Sequence, residues 1–270
     1  MKLINSSVKE IIQEPGMDGI YKQIAYGGHI CYMSDKVGDE KEFFDRLVKL
    51  NHGSVLEHGT VYMKFPYLVK YGDLFKVNHI LEKYKSNPYS KYTIDDSYIY
   101  VTSNMRVLVQ NGWEVDLKYQ CEPTQFHHKR RTFHVICPIG ISREISRSRT
   151  LSPSESSTRY CNFSKDRFGK ELTFIKPYWL PEIDESSDFT DIIKYNNFID
   201  MCEKAEESYL KLVDFGCKPQ EAREVLPLCT KTEVVYTAFE EDWSYFFSLR
   251  CDSKAHPDAQ KVANMIKDLM

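Results

Sequence analysis

From Ser142 to Tyr160 the chain reads SREISRSRTLSPSESSTRY, with four arginines, two glutamates, seven serines and almost no apolar side chain after Ile145. Unpaired charges are rarely buried, so no fold of this chain can run that stretch through its core. The stretch is either a solvated loop or a surface built to grip an anion. The second use is chemically natural, because the guanidinium fork matches phosphate and serine hydroxyls and loop N–H groups add donors. Charge runs are commonly just solvated, and at this level both readings stand.

The rest of the chain has enough apolar material for a sizeable core, with 270 residues, 42% hydrophobic and 13% aromatic. That length suits one large domain or two small ones. A formal net charge of −3 argues against a general nucleic-acid binder, which carries a basic excess. The cluster His127-His128-Lys129-Arg130-Arg131 is read as a loop leading into a strand. Eight cysteines lie scattered without a Cys-x-x-Cys pair, so no metal site is expected, and they read as reduced thiols. The first residues, MKLINSSVKEIIQEP, lack the apolar core of a signal peptide. No run approaches the ~18 apolar residues of a membrane span. A soluble cytoplasmic protein, with no membrane and no nucleic-acid partner, is the expectation.

Periodicity predicts the elements. Glu42 to Leu50 carries Phe43, Phe44, Leu47 and Val48 at helical spacing. Thr60 to Phe65 alternates as a strand. Residues 67–130 read as a peripheral insert, with a strand over Tyr98 to Thr102 and a helix opening at an Asn104 cap. Arg131 to Cys137 is a strand, and Pro138 opens a helix through Arg147. Asp188 to Phe215 reads as one long helix with Ile192, Met201, Ala205, Tyr209 and Leu212 on its apolar face and Gly216 as its stop. Lys231 to Phe239 is a β-branched strand, followed by closing helices over Asp242 to Arg250 and His256 to Leu269. Strands interleaved with long helices in this order predict a single α+β domain over 1–270, with a mixed or antiparallel central sheet. No glycine-rich phosphate loop is present, so a Rossmann site is not supported.

The spacing Arg147-x-Arg149, seven residues, Ser157, x, Arg159-Tyr160 resembles the signature of the flavin-dependent thymidylate synthases. The blocks IIQEPGMDGIYKQIAYGGHICYMS, HGSVLEHGTVYMKF, STRYCNFSKDRFGKELTFIKP and AREVLPLCTKTEVVYTAF resemble the long bacterial branch of that family, as does the run from FFSLR to SKAHP. The resemblance implies the family's thymidylate synthase-complementing fold. It also implies conversion of dUMP to dTMP, with 5,10-methylenetetrahydrofolate as carbon donor and NADPH-reduced FAD as hydride carrier. It further implies a homotetramer with sites shared between subunits.

By position in the family pattern, Glu144, Arg147, Glu155, Ser157, Arg159, Arg223 and Arg250 would bind dUMP. Arg250 would also be catalytic, its charge drawing electrons toward the uracil carbonyls. Help of that kind is worth about 3 kcal/mol per well-placed group. His58, Arg147, Ser148, Arg149 and His256 would meet the flavin.

The flavin side departs from the family. Ser148 replaces the signature histidine, His29 stands for an arginine and Leu228 for an asparagine. Phe239 and Glu241 replace an asparagine and an arginine, and Tyr245 replaces a histidine or asparagine. Glu241 reverses charge where a pyrophosphate wants a cation. Two explanations stay open: local compensation by His29, Lys231 or Lys254, and a genuine change of cofactor use. The alternative function is therefore a homologue that keeps the pyrimidine-nucleotide pocket but has lost or changed FAD use, with altered group transfer or non-catalytic nucleotide binding.

Overall fold

A computed structural model describes residues 1–34, 38–66 and 74–270. The elements in chain order are β1 (Lys2–Ile4), β2 (Ser7–Ile11), α1 (Gly16–Tyr32), α2 (Glu40–Lys49), α3 (Gly53–Leu56), β3 (Thr60–Pro66), α4 (Leu74–Lys85), β4 (Lys91–Ile94), β5 (Tyr98–Asn104) and α5 (Met105–Asn111). They continue with β6 (Arg130–Pro138), α6 (Ile139–Ile145), β7 (Ser152–Glu155), β8 (Thr173–Ile175), α7 (Phe189–Asp214), α8 (Pro219–Ala222), β9 (Lys231–Phe239), α9 (Glu240–Arg250) and α10 (Pro257–Asp268).

The central sheet, in the order β2-β6-β9-β7, is antiparallel throughout, with Phe133 opposite Tyr236 and Ser154 opposite Val235. Its two faces follow from the period of two along a strand. Phe133, Val135 and Cys137 of β6 and Val234, Tyr236 and Ala238 of β9 form one apolar core with Ile141, Trp243, Phe246, Val262 and Ile266 from α6, α9 and α10. The opposite face carries polar groups: the Tyr26 hydroxyl of α1 lies 2.8 Å from His134 Nδ1, and Thr132 and Thr237 share a 2.8 Å hydrogen bond. A second antiparallel sheet, β3-β5-β4, packs its own core with Ile20 and Ile24 of α1 and Phe43, Phe44 and Leu47 of α2. β1 and β8 pair in parallel beside α7. The α+β expectation and the antiparallel central sheet hold.

The segment 67–130, expected to be peripheral, is structurally central where it is described; residues 67–73 lie outside the described residues. β5 is the middle strand of the second sheet, and Ile99, Val101, Met105 and Leu108 are buried in the core that also contains α1. The Asn104 cap forms as expected, its side chain accepting from Val107 N at 3.1 Å. On α7 the buried residues are Phe198, Cys202 and Tyr209, while Ile192 and Met201 are exposed. Only part of this helix is covered by neighbours, so the wetted face keeps apolar side chains that a pattern argument assigns to the core. The helix opened by Pro138 ends at Ile145, which leaves Arg147 and Arg149 in the turn beyond it.

Candidate functional site

The stretch from Ser142 to Tyr160 begins in α6, crosses the sheet edge as β7 and leaves through a loop stitched to two elements, β9 and α1. Ser156 N donates to Glu233 O of β9 at 2.8 Å, and Ser157 N donates to Cys31 O of α1 at 3.0 Å. Tyr160 N and Cys161 N both close on Ser157 O at 3.0 Å. This backbone stitching places Glu155 and Ser157 along one wall of a cleft of about 560 Å³, within the size range of small-molecule sites. Arg143, Thr158, Arg223 and Leu228 complete the lining that matters here.

Several polar side chains in and beside the cleft have a physical anchor. Glu155 Oε1 accepts from the hydroxyls of Ser142 at 2.6 Å and Thr232 at 2.9 Å. Arg223 Nη1 donates to Thr158 Oγ1 at 3.4 Å, and its Nε lies 3.7 Å from Glu224 Oε1. Arg250, at the end of α9, donates from Nη2 to the Glu144 carbonyl oxygen at 2.7 Å and keeps a buried Nε without a partner. The Ser148 hydroxyl is likewise buried without a partner.

Electrostatics separate this stretch from the rest of the chain. Arg106 and Arg131 meet the carboxylates of Glu57 and Glu10. Among the described residues, Arg143, Arg147, Arg149 and Arg159 form no ion pair with a carboxylate; Arg159 lies over the Tyr160 ring at 5.5 Å. Four exposed cations concentrated within one short stretch produce a local positive field on a chain of net charge −3. Such a field suits an anionic ligand.

The predicted residues therefore divide. Glu155, Ser157 and Arg223 come together in the cleft; Glu144 and Arg250 meet each other on the α6–α9 side; Arg147, Arg149 and Arg159 are exposed. Arg143 and Thr232 are in the cleft lining without having been expected there. Arg143 was visible in principle, because it precedes Arg147 by one helical turn. Thr232 carries no local signal, since only the pairing of β9 with β7 brings it to Glu155.

Two residues expected on the flavin side have local partners in this chain. His58 is wholly buried between α1 and the central sheet: its Nδ1 is 2.8 Å from Thr237 Oγ1, and a Cβ on Gly27 would approach its Cδ2 to 2.5 Å. Burial, with a smaller contribution from the Arg130 charge, lowers its pKa to about 3, so the ring is neutral, and its buried Nε2 has no hydrogen-bond partner among the described residues. His256 caps α10, its Nδ1 accepting from Asp258 N at 3.2 Å, with the Tyr178 ring edge-on at 5.9 Å.

The departures also have local explanations. Glu241 is clasped by His128 Nδ1 at 2.5 Å and Lys91 Nζ at 3.2 Å. Burial acts to raise its pKa, but the His128 and Lys91 contacts outweigh it and the carboxyl sits below the usual range. Phe239 is buried with the Lys91 ammonium 4.5 Å from its ring centroid, and His29 stacks on Phe43 at 5.2 Å. Tyr245 and Leu228 are each 62% exposed. The unpaired arginines and the buried Ser148 hydroxyl fit the anionic part of a flavin dinucleotide.

A family model described as thymidylate synthase complementing protein matches residues 119–270. The chain belongs to that family. Its match covers α6, the arginine stretch, the cleft and the closing helices together. Flavin-dependent thymidylate synthases are among its relatives: one from Pseudothermotoga lettingae is 30% identical over 139 residues, 51% of this chain and 60% of that protein. Another from Thermosipho africanus is 30% identical over 159 residues, 54% of this chain and 66% of that protein. A third from Aquifex aeolicus is 27% identical over 193 residues, 66% of this chain and 55% of that protein. The chain thus spans under two thirds of the length of the curated relatives it matches. A solved UMP/dUMP methylase from Streptomyces cacaoi, bound with 5-Br UMP, aligns over 100% of this chain and 90% of its own with a TM-score of 0.48 and 16% identity.

Proposed function

We propose that this protein methylates dUMP at C5 to form dTMP as a flavin-dependent thymidylate synthase. The observation that carries the reading is the convergence of Glu155, Ser157 and Arg223, from β7, its following loop and the turn after α8, on one cleft beside a field of unpaired arginines. Arg223, Ser157 and Arg159 would hold the phosphate, with Arg143 adding charge. Glu155 would accept a donor on the nucleotide. Arg250, held by the Glu144 carbonyl, would place a fixed cation near the uracil and favour the charge that builds on its carbonyls.

In the overall chemistry, the methylene of 5,10-methylenetetrahydrofolate replaces the C5 proton of dUMP, and tetrahydrofolate leaves. FAD reduced by NADPH supplies, when bound, the hydride that brings the methylene to the methyl level. Arg147, Arg149 and Ser148 are the residues of this chain that would hold the flavin's anionic portion. The exposed arginines without partners in their own chain support a homotetramer in which neighbouring subunits complete each site. A cytoplasmic location is consistent with eight free cysteines, and among the described residues no helix is long and apolar enough to cross a membrane.

A second reading, a homologue that keeps the nucleotide pocket with changed or lost FAD use, is favoured by the burial of His58 and by Ser148 in the signature. Two measurements on purified protein decide between them: dUMP affinity by calorimetry, and absorbance near ~450 nm with and without added FAD. Bound flavin with dUMP affinity supports the synthase. Affinity for dUMP without flavin binding supports the second reading, and absence of dUMP binding rejects both.

A further inference from the structure

The carboxylate in the cleft is held by hydroxyls whose donor directions are all determined. Glu233 N–H donates to Ser156 Oγ at 3.1 Å, so Ser156 directs its own proton elsewhere. Ser156 Oγ lies 3.1 Å from Thr232 Oγ1, and Thr232 Oγ1 is 2.9 Å from Glu155 Oε1. An ionised carboxylate only accepts, so Thr232 donates to Glu155 and must accept from Ser156. Ser142 Oγ, 2.6 Å from Glu155 Oε1 and 3.0 Å from Ile139 O, gives its single proton to the nearer oxygen. Ser142 is 0% exposed and Thr232 1% exposed, so water does not compete for these contacts. One carboxylate oxygen is thereby saturated. Among the described residues Oε2 has no hydrogen-bond partner, and Glu155 lines the cleft.

We propose that Ser142 and Thr232 are positioning residues that lock Glu155 as an obligate acceptor, leaving its second oxygen to select a hydroxyl or N–H donor on the bound nucleotide. Both side chains are almost wholly buried, and they act through the carboxylate. The polarity at Thr232 resists reversal, because turning its proton toward Ser156 would oppose two donors and leave the Glu155 oxygen facing a lone pair. The inference rests on the nucleotide reading of the cleft for its ligand, and on the hydrogen-bond polarity alone for the positioning.

The test uses the full chain with Thr232→Val, which keeps the shape and removes the donor, Thr232→Ser as the conservative replacement, and Glu155→Ala, which removes the acceptor. In calorimetric titrations Thr232→Val is expected to weaken dUMP about tenfold, the scale of a hydrogen bond to a charged group, while Thr232→Ser stays within about twofold of wild type. In the Glu155→Ala background, where no acceptor remains to be positioned, Thr232→Val is expected to add nothing. An equal loss in both backgrounds, or no rescue by serine, would mean that Thr232 serves the fold alone and overturns the proposal. The carboxyl 13C resonance of Glu155 provides a readout without ligand: it should shift or broaden in Thr232→Val and return in Thr232→Ser. An unmoved resonance overturns the positioning role. A resonance that responds in a protein that does not bind dUMP upholds the positioning role and rejects the nucleotide reading instead.

Discussion

Arg250 Nη2 donates to the main-chain oxygen of Glu144 at 2.7 Å, joining the last turn of α9 to the last turn of α6 immediately before the arginine stretch. Lys, Arg and His near a helix end commonly satisfy its free carbonyls. Here the same guanidinium retains a buried, unpartnered Nε, so part of its donor capacity is left for another group.

Replacing Arg250 with Ala is expected to lower kcat more than it raises KM for dUMP. A cation near the uracil matters most when the ring carries extra negative charge, and its loss costs about 3 kcal/mol in the barrier, on the order of a hundredfold in rate. Steady-state kinetics with a parallel thermal melt check this. A raised KM with unchanged kcat would confine Arg250 to ground-state positioning.

Arg159 is exposed and without a carboxylate partner among the described residues, so Arg159→Ala should leave the melting temperature nearly unchanged while weakening dUMP about tenfold or more. Raising ionic strength should reduce the difference between mutant and wild type, because an exposed cation is screened. Flavin affinity measured on the same samples should hardly respond.

Glu241→Arg sets a cation against Lys91 and His128, which now hold the carboxylate at 3.2 and 2.5 Å. Because Glu241 is half exposed, the lost pairs are worth only about 0.2–1 kcal/mol each, and a modest drop in melting temperature is the expected outcome. Flavin affinity should not rise, since Glu241 is already neutralised where it stands. Denaturant melts of Glu241→Arg and of Glu241→Arg combined with Lys91→Glu measure the clasp directly: the second change should restore part of the loss.

Acid should destabilise the protein in two windows. His58 is depressed to about 3, by burial first and Arg130 second, so below its ordinary value near ~6.5 the unfolded chain takes up a proton that the folded chain refuses. Stability therefore falls as pH drops from that value toward about 3. Glu233 is at about 2; burial raises it, but His134 and Lys231 together lower it further. Its contribution is fully present above the unfolded value near ~4.3 and is lost as pH falls toward about 2. Urea melts across pH should show His58→Gln flattening the upper window and Glu233→Gln the lower one.

Gly27→Ala brings a methyl to 2.5 Å of the His58 ring, whose other side is held by Thr237. The ring has little room to retreat, so the substitution should cost about 1–3 kcal/mol. Thermal melts of Gly27→Ala against Gly112→Ala, whose added Cβ meets nothing within 4 Å but sits at a φ of +67, separate close packing from backbone strain.

Much of the fold was legible because its signals are local. The runs of β6 and β9, the Asn104 cap and the long α7 follow from periodicity and capping, which act over a few residues. The misread parts involve distant segments. Nothing in Tyr98 to Asn104 reveals that it lies between β3 and β4, and nothing in Ile192 or Met201 reveals that no neighbour covers them. Burial is a property of what packs against a residue, and a single chain segment does not carry that information.

The candidate site divides along the same line. Charge is intrinsic to residue type, so the four arginines between Ser142 and Tyr160 were legible as exposed groups, and the stretch read as either a solvated loop or an anion site. That Ser142, Ser152 and Ser154 are buried was not legible. Which of them share a cleft was decided by the pairing of β7 with β9, the stitching of Ser157 to Cys31 and the arrival of Arg223 from beyond α8. Tertiary packing also withdrew His58 into the core and supplied Glu241 with the Lys91 ammonium and the His128 ring. Both outcomes depend on groups more than fifty residues away in the chain, because solvation and pairing energies are set by neighbours in space.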